Sequence, residues 1–388
     1  MKARQVSAIG AVLFSFFVMG FCDIVGISSD YAREAFGWSQ AMTGLLPSVV
    51  FVWVLLLALP VGIKMNAWGR KNTVLIGMAV TVVGTMIPLI GTSWACLVGY
   101  AALGIGNAIL QVSENPLVRN VVTNEKVLTS TLTAGQVVKA ISSFCGPFIM
   151  LFAVNVLGNG DRQMWYLALP VMGGITLLSA LWLLLSPIPH ESRAAETASM
   201  SNEIKRSVSL LRDHTILRLF FGIFFVVAID VGTNFVSSKV MIERYGWAVE
   251  QAGIAPQVYF ICRTIGAFLG VLLMTKIPSR QYFRWNILTC IAAILILAFV
   301  PLPAAGSLVL IGAIGFLCSC IFPIIYTMAV ETQPEKENLI SGLIITAVSG
   351  GGAVTPLIGL ATDLAADITA GVCVLLICAV YLTYCAFR

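Results

Sequence analysis

Twelve runs of about twenty predominantly apolar residues follow one another along this chain, and a run of that length is what an α-helix needs to cross a bilayer. They lie roughly at 6–29, 42–65, 71–91, 94–118, 129–155, 164–187, 215–240, 251–275, 282–302, 305–331, 338–362 and 368–387. Inside lipid, every backbone N–H and C=O must be satisfied within its own segment or in a closed barrel. Runs this long therefore fix the class as an all-α membrane protein. Composition agrees: of 388 residues only 11% are charged and 59% are hydrophobic, whereas soluble domains carry about 25% charged residues.

The connections are short except for one. His190 to His214 is polar, rich in Ser and Ala and mixed in charge, and it divides the spans six and six. The expected organisation is an N-terminal bundle over 1–187, a cytoplasmic linker over 188–214 and a C-terminal bundle over 215–388. An amphipathic helix is expected in the linker around Glu203–Arg212. With the N-terminus inside, 17 of the 23 Lys and Arg fall in cytoplasmic loops and ends. The others are Arg33, Arg162 and Arg244 in outer loops, and Lys139, Lys239 and Arg263 in or near spans. This bias places both termini in the cytoplasm of a cell (inner or plasma) membrane. It also accounts for the net charge of +5 without a nucleic-acid partner. The start, Met1 to Arg4 followed by apolar residues, imitates a secretion signal. It lacks a small-residue cleavage site and Asp23 interrupts it, so an uncleaved first span is expected. The 10 cysteines have no framework or metal-ligand spacing and read as small buried hydrophobes.

The chain repeats itself. Phe16 to Trp38 reads FFVMGFCDIVGISSDYAREAFGW, and Phe224 to Trp247 reads FFVVAIDVGTNFVSSKVMIERYGW. Ser28, Ser29 and Asp30 are matched by Ser237, Ser238 and Lys239; Phe36, Gly37 and Trp38 by Tyr245, Gly246 and Trp247; Gly44 by Gly253. An acid stands inside apolar sequence both times, Asp23 and Asp230, offset by about two residues. A repeat of half the chain's length points to two six-helix bundles related by pseudo-two-fold symmetry.

Twelve spans in two sixes with a cytoplasmic linker resemble the major facilitator superfamily. Between spans two and three that family carries a G-x-x-x-D-R-x-G-R-K loop. Gly62 to Lys71, GIKMNAWGRK, keeps its glycines and basic end, with Asn66 and Ala67 in place of the acid and first arginine. Three stretches are similar to the fucose:proton symporter branch, the fucose and glucose/galactose permeases. They are Gly104 to Pro116, GIGNAILQVSENP; Ser319 to Tyr326, SCIFPIIY; and Ser341 to Pro356, SGLIITAVSGGGAVTP. Where the branch has its proton-coupling glutamate this chain has Gln111, and the acid stands one turn on at Glu114. The branch's first-span acid falls a few residues after Asp23. Its fifth-span Asn-x-Ala-Gln corresponds to Thr133 to Gln136, followed here by Lys139. The resemblance implies a major facilitator fold and proton-coupled sugar symport.

A charge near the bilayer centre costs about 2.5–3.5 kcal/mol on insertion scales, so it faces a cavity or a partner. Asp23 is either a protonatable cavity group or the fixed ion-pair partner of Lys139. Lys139, one turn after Gln136, is a counter-ion to Asp23 or Glu114, a grip for an anionic substrate, or a structural bridge. Glu114, next to Asn115 and Pro116, is a proton site, a gating contact or a solvated end charge. Gln111, one turn earlier, offers an amide to sugar hydroxyls or to a neighbouring helix. Asp230 and Asn234, four apart, share a face of span seven; Asp230 lines a cavity or pairs with Arg263. Gln257, Tyr259, Arg263 and Tyr326 complete the substrate candidates, and Lys239 is expected to snorkel to the outer interface. Pro116, Gly350, Gly351, Gly352 and Pro356 are assigned to helix packing and hinge motion, because no strand or Lys-Ser/Thr accompanies the glycines to make a phosphate loop.

Nothing in the sequence points to a cofactor, a metal cluster, a nucleophile constellation or an ATP site, so neither an enzyme nor a primary pump is expected. The expected activity is secondary active transport by alternating access, a neutral monosaccharide moving with a proton through one site between the halves. Asp23 is taken first for coupling, then Asp230, then Glu114. Sugar-acid or anionic-metabolite transport and drug/proton antiport are the alternatives. A non-transporting sensor on the same scaffold would be expected to lack the intramembrane acids. The expected partners are a small-molecule substrate, the proton and the lipid bilayer, with the chain working as a monomer.

Overall fold

The computed structural model describes residues 3–122, 125–188, 200–274, 276–333 and 336–388, and their regular secondary structure is entirely helical. Among the described residues, twelve helices are long and apolar enough to span a membrane. They are α1 Gln5–Phe36, α2 Gln40–Met65, α3 Arg70–Ile90, α4 Ser93–Val121, α5 Ala134–Leu157, α6 Arg162–Leu185, α7 His214–Tyr245, α8 Val249–Met274, α9 Ser279–Phe299, α10 Ala304–Thr332, α11 Gly342–Ala365 and α12 Ile368–Phe387. The expected linker helix is present as Met200–Ser209, followed by a tight turn Leu210–Arg212. Residues 189–199 of the linker, and Lys2 of the charge pattern, lie outside the described residues.

Helices α1 and α7 run well past the ends expected at 29 and 240. The serines leading up to those ends do not stop the helix, because they are buried and bonded within it. The Ser29 and Ser237 hydroxyls donate back to the carbonyls of Gly26 (2.5 Å) and Asn234 (2.9 Å), a bond that lets serine stay in a helix. Both helices end alike: Gly37 has φ +65° and Gly246 φ +68°, the left-handed conformation that glycine adopts without penalty. The sequence repeat is thus a repeat of backbone geometry. Helix starts are capped where the sequence supplies a short oxygen side chain. Thr92 accepts from Ala95 N–H at 3.2 Å, Asp213 from Thr215 N–H at 2.8 Å and Asp367 from Thr369 N–H at 2.8 Å.

The loop between α2 and α3 departs from the family pattern, yet its basic end has clear work. Arg70 donates to the Pro116 carbonyl at 3.1 Å and to Asn120 at 2.7 Å, and Lys71 to the carbonyls of Leu184 (3.0 Å) and Ser186 (2.8 Å). Two cations thereby satisfy carbonyls in or beside the last turns of α4 and α6, the end where positive charge is favoured.

Three spans are interrupted within their length. α1 tightens to a 3₁₀ turn over Gly20–Ile24, α10 breaks at Ser319 and Cys320, and α11 tightens over Ala347–Ser349. The last two fall within sequence motifs quoted above, and the first surrounds Asp23. Irregular backbone at membrane depth survives only where it is buried in protein or lines a cavity.

By contact the chain groups into two compact units, Met1–Ile24 with Val52–Arg206, and Val25–Phe51 with Ser207–Arg388. Within the first, a Cβ on Gly20 would stand 2.5 Å from the Lys139 carbonyl, so only glycine admits α5 this close to the break in α1. Within the second, α11 leans on α7 and α2. Gly350 leaves no room for a Cβ against the Phe224 carbonyl, Gly351 lies against Val231, and a Cβ built on Gly352 would stand 3.0 Å from the Ser48 carbonyl. The three glycines serve close packing against two different helices, as the small-residue rule anticipates.

Candidate functional site

Each unit carries its own set of polar side chains. In the first, the 3₁₀ turn of α1 presents Asp23 to α5. The Ser143 hydroxyl donates to one Asp23 oxygen at 2.6 Å, and the Cys22 thiol lies 3.6 Å from the other. Lys139, one turn before Ser143 on α5, is half-buried and acts electrostatically on Cys22 and on Glu114. The sequence reading offered Asp23 as a protonatable cavity group or as the partner of Lys139; it did not anticipate the hydroxyl, because serine in an apolar helix reads as packing.

Glu114 is 1% exposed, which removes the solvated end-charge alternative. Ser15 is adjacent, but its hydroxyl donates to the Val12 carbonyl at 2.6 Å. Both Glu114 oxygens are then without a hydrogen-bond partner among the described residues. Asn107, buried at 2% exposure with neither amide atom bonded among the described residues, was missed by sequence reasoning. It lies at i, with Gln111 at i+4 and Glu114 at i+7, so the three share one face of α4. That spacing was legible in the sequence. Gln111 is half-buried, Gln136 exposed and Pro116 half-buried.

In the second unit, Asp230 of α7 is held from α8. Arg263 reaches one of its oxygens at 2.7 Å, with side-chain exposures of 34% and 24%, and the buried Tyr259 hydroxyl donates to the other. The pairing of Asp230 with Arg263 is thus observed, and the ion pair is partly exposed. Asn234 is buried, and its amide abuts Gly26 of α1, where a Cβ would be 2.6 Å from Oδ1. It shares a face of α7 with Asp230 but has a different neighbour. Gln257 is half-buried, as is Tyr326, whose ring stacks on Phe322 with centroids 6.4 Å apart. Pro356 lies half-buried within α11, one residue after Thr355, whose hydroxyl donates to the Gly44 carbonyl at 3.1 Å.

Lys239 corrects its expectation outright. It does not snorkel: its side chain is 1% exposed, and its ammonium meets Asp30 at 2.5 Å and Ser29 at 2.9 Å, 3.9 Å above the Phe235 ring. Ser238 donates to the second Asp30 oxygen. A partner far away in sequence supplied what the interface would otherwise have had to.

Twelve helices long and apolar enough to cross a membrane among the described residues, with acids inside them, make this an integral membrane protein; the family match makes it a transporter. The chain belongs to the Major Facilitator Superfamily, which residues 9–356 match. It is 23% identical over 371 residues to the glucose/galactose transporter of Brucella abortus biovar 1 (strain 9-941), covering 90% of this chain and 86% of that one. It is 24% identical over 398 residues to the L-fucose-proton symporter of Escherichia coli (strain K12), covering 92% and 87%. Among solved structures, it is similar to FucP in the outward conformation (TM-score 0.69, 19% identity, 99% of each chain). It is likewise similar to the nucleoside transporter NupG (TM-score 0.72, 14% identity, 99% of this chain and 98% of that one).

Proposed function

We propose that this protein imports a small neutral sugar together with a proton, by alternating access, across the membrane that holds its termini on the cytoplasmic side. The observation that carries the substrate class is the Asp230–Arg263–Tyr259 group. Its cation is already compensated at 2.7 Å by a carboxylate, so an anionic substrate would have to displace Asp230. A polyhydroxy substrate, by contrast, donates to and accepts from the open parts of the pair as it stands. The similarity to transporters named for glucose/galactose and for fucose supports the same class.

For coupling, Glu114 stands ahead of Asp23 and Asp230. Asp23 has a hydroxyl donor and Asp230 a guanidinium and a phenol, whereas Glu114 is buried with neither oxygen bonded among the described residues. A buried carboxylate short of hydrogen bonds is costly in such surroundings, and taking up a proton removes that cost. Gln111 and Asn107 on the same face of α4 supply amides for sugar hydroxyls. Lys139, within electrostatic reach of Glu114, links the state of that carboxyl to α5.

The test is uptake into proteoliposomes under an imposed pH gradient, with a panel of neutral hexoses and the corresponding sugar acids. Uphill accumulation of one neutral sugar, abolished by a protonophore, is the expected result. Accumulation of sugar acids alone, or of nothing in a correctly inserted preparation, overturns the substrate assignment.

A further inference from the structure

Arginines gather, without acids to match them, at the end of the second unit where α7 and α9 begin and α12 finishes. α9 carries Arg280 and Arg284 one turn apart, and neither α9 nor α12 contains an aspartate or glutamate. α12 packs against both α7 and α9. Arg284 donates through Nε to the Ala386 carbonyl at 2.9 Å, and its guanidinium lies 5.0 Å from the centre of the Phe387 ring. That carbonyl is among the last of α12, which have no partner within the helix. Arg388 stands over the Tyr384 ring at 5.6 Å. On the α7 side, the Arg218 carbonyl accepts from the Tyr381 hydroxyl at 3.3 Å and from the Cys385 thiol at 3.5 Å. Arg218 is half-buried, and its Nε has no hydrogen-bond partner among the described residues. No carboxylate among the described residues forms an ion pair with any of these arginines. The nearest acid in sequence to Arg218, Asp213, is already bonded to the Thr215 N–H and the Gln333 amide. Beside the cations, Trp285 is 65% and Phe387 53% exposed, as aromatics are at the height of the lipid headgroups.

We propose that these arginines form a binding site for one anionic phospholipid, its phosphate held by Arg218 and Arg284 and an acyl chain laid over the exposed faces of α9 and α12. The inference rests on the membrane topology expected from the Lys and Arg bias, which sets this end at the inner leaflet, and is independent of the sugar reading. Charge complementarity names the occupant. Cations at the membrane surface with no acid beside them attract an anionic headgroup, and a guanidinium meets phosphate oxygens in parallel pairs. With Nε of Arg284 spent on Ala386, its two terminal nitrogens remain for such a pair. The Phe387 and Tyr384 rings hold two of the guanidiniums by their faces, so less side-chain freedom is lost on binding. Exposed Leu288 and Val380 continue the site along the same two helices. A dissolved phosphate would use the charges and leave this apolar surface unused. A zwitterionic lipid brings its own amine and gains less from the cations.

The experiment is native mass spectrometry of the full chain in detergent, titrated with phosphatidylglycerol or with phosphatidylcholine of the same acyl chains. The first phosphatidylglycerol is expected to bind about tenfold or more tightly than the first phosphatidylcholine. Arg218→Gln with Arg284→Gln should bring that ratio close to one, while Arg162→Gln, in the other unit, should leave it unchanged. Arg218→Lys with Arg284→Lys keeps the charge and should keep most of the preference, which a variant damaged only in its folding would lose. Excess inorganic phosphate should leave the bound lipid in place. Equal affinities for the two lipids in the wild type overturn the site, and a preference that survives the glutamine pair overturns its location. Loss of the preference in the lysine pair overturns charge as its cause. Displacement of the lipid by inorganic phosphate reduces the site to one for a free anion and overturns the lipid assignment.

Discussion

Arg263 and Asp230, from adjacent helices α8 and α7, are joined at 2.7 Å with about a third and a quarter of their side chains exposed. A charge pair so placed is neither a sealed structural bridge nor a free ligand. Arg263→Gln leaves the carboxylate held by Tyr259 alone and removes a charged donor. Such a donor is worth about 1.5–3 kcal/mol, so sugar uptake should fall by one to two orders of magnitude. Asp230→Asn should instead leave the cation uncompensated and bring measurable uptake of sugar acids. Initial rates in proteoliposomes with paired neutral and acidic sugars check both outcomes.

Glu114→Gln keeps the shape of the buried carboxyl and removes its ability to ionise. If Glu114 carries the coupled proton, equilibrium exchange of sugar across the membrane continues near the wild-type rate while uphill accumulation disappears. Counterflow and gradient-driven uptake, measured on the same vesicles, distinguish the two. Loss of both together would place Glu114 in folding or substrate binding instead.

Gly350→Ala introduces a methyl group where the Phe224 carbonyl already stands. The backbone of α7 has to give way, and overpacking of this kind costs about 1–3 kcal/mol. The melting temperature in detergent should drop, while Gly37→Ala, with open space around its Cβ, suffers only from its positive φ. A thermal-shift series on the two variants checks the ranking.

Asp213 begins α7, and the N–H of Thr215 foremost, then that of Ile216 and the Gln333 amide, hold its carboxyl below the ordinary carboxylate range. A depressed carboxylate adds stability that is present above its unfolded pKa and is lost as pH falls through the folded value. Asp213→Ala should therefore destabilise the protein at neutral pH, by about 1 kcal/mol for a lost cap. The gap to wild type should close as the medium is acidified below the ordinary carboxylate range. Melting temperatures of both proteins across that range decide it.

The architecture was legible because apolar run length is a local property, and the twelve runs needed no knowledge of neighbours. The repeat was legible for the same reason, down to the paired glycines at 37 and 246. Partners were harder. Arg263 lies one span from Asp230 and was among the alternatives, whereas Asp30 lies 209 positions from Lys239, and nothing local distinguishes a lysine that pairs from one that snorkels. Ser143 and Tyr259 were not read as partners of Asp23 and Asp230, because hydroxyls in apolar helices serve packing as often as chemistry. Asn107 was within reach, since its i, i+4, i+7 relation to Gln111 and Glu114 is written in the spacing.

The meeting of Asp30 with Lys239 has one more consequence, because the two occupy the same place in the two copies of the repeat. Ser29 and Ser238 are equivalent as well, and each bonds to the charged residue of the opposite copy. Elements related by a two-fold axis touch their own counterparts at that axis. Two faithful copies would therefore have set acid against acid, or amine against amine, in a place without water. The two copies can meet at this point only because one letter of the repeat differs in sign.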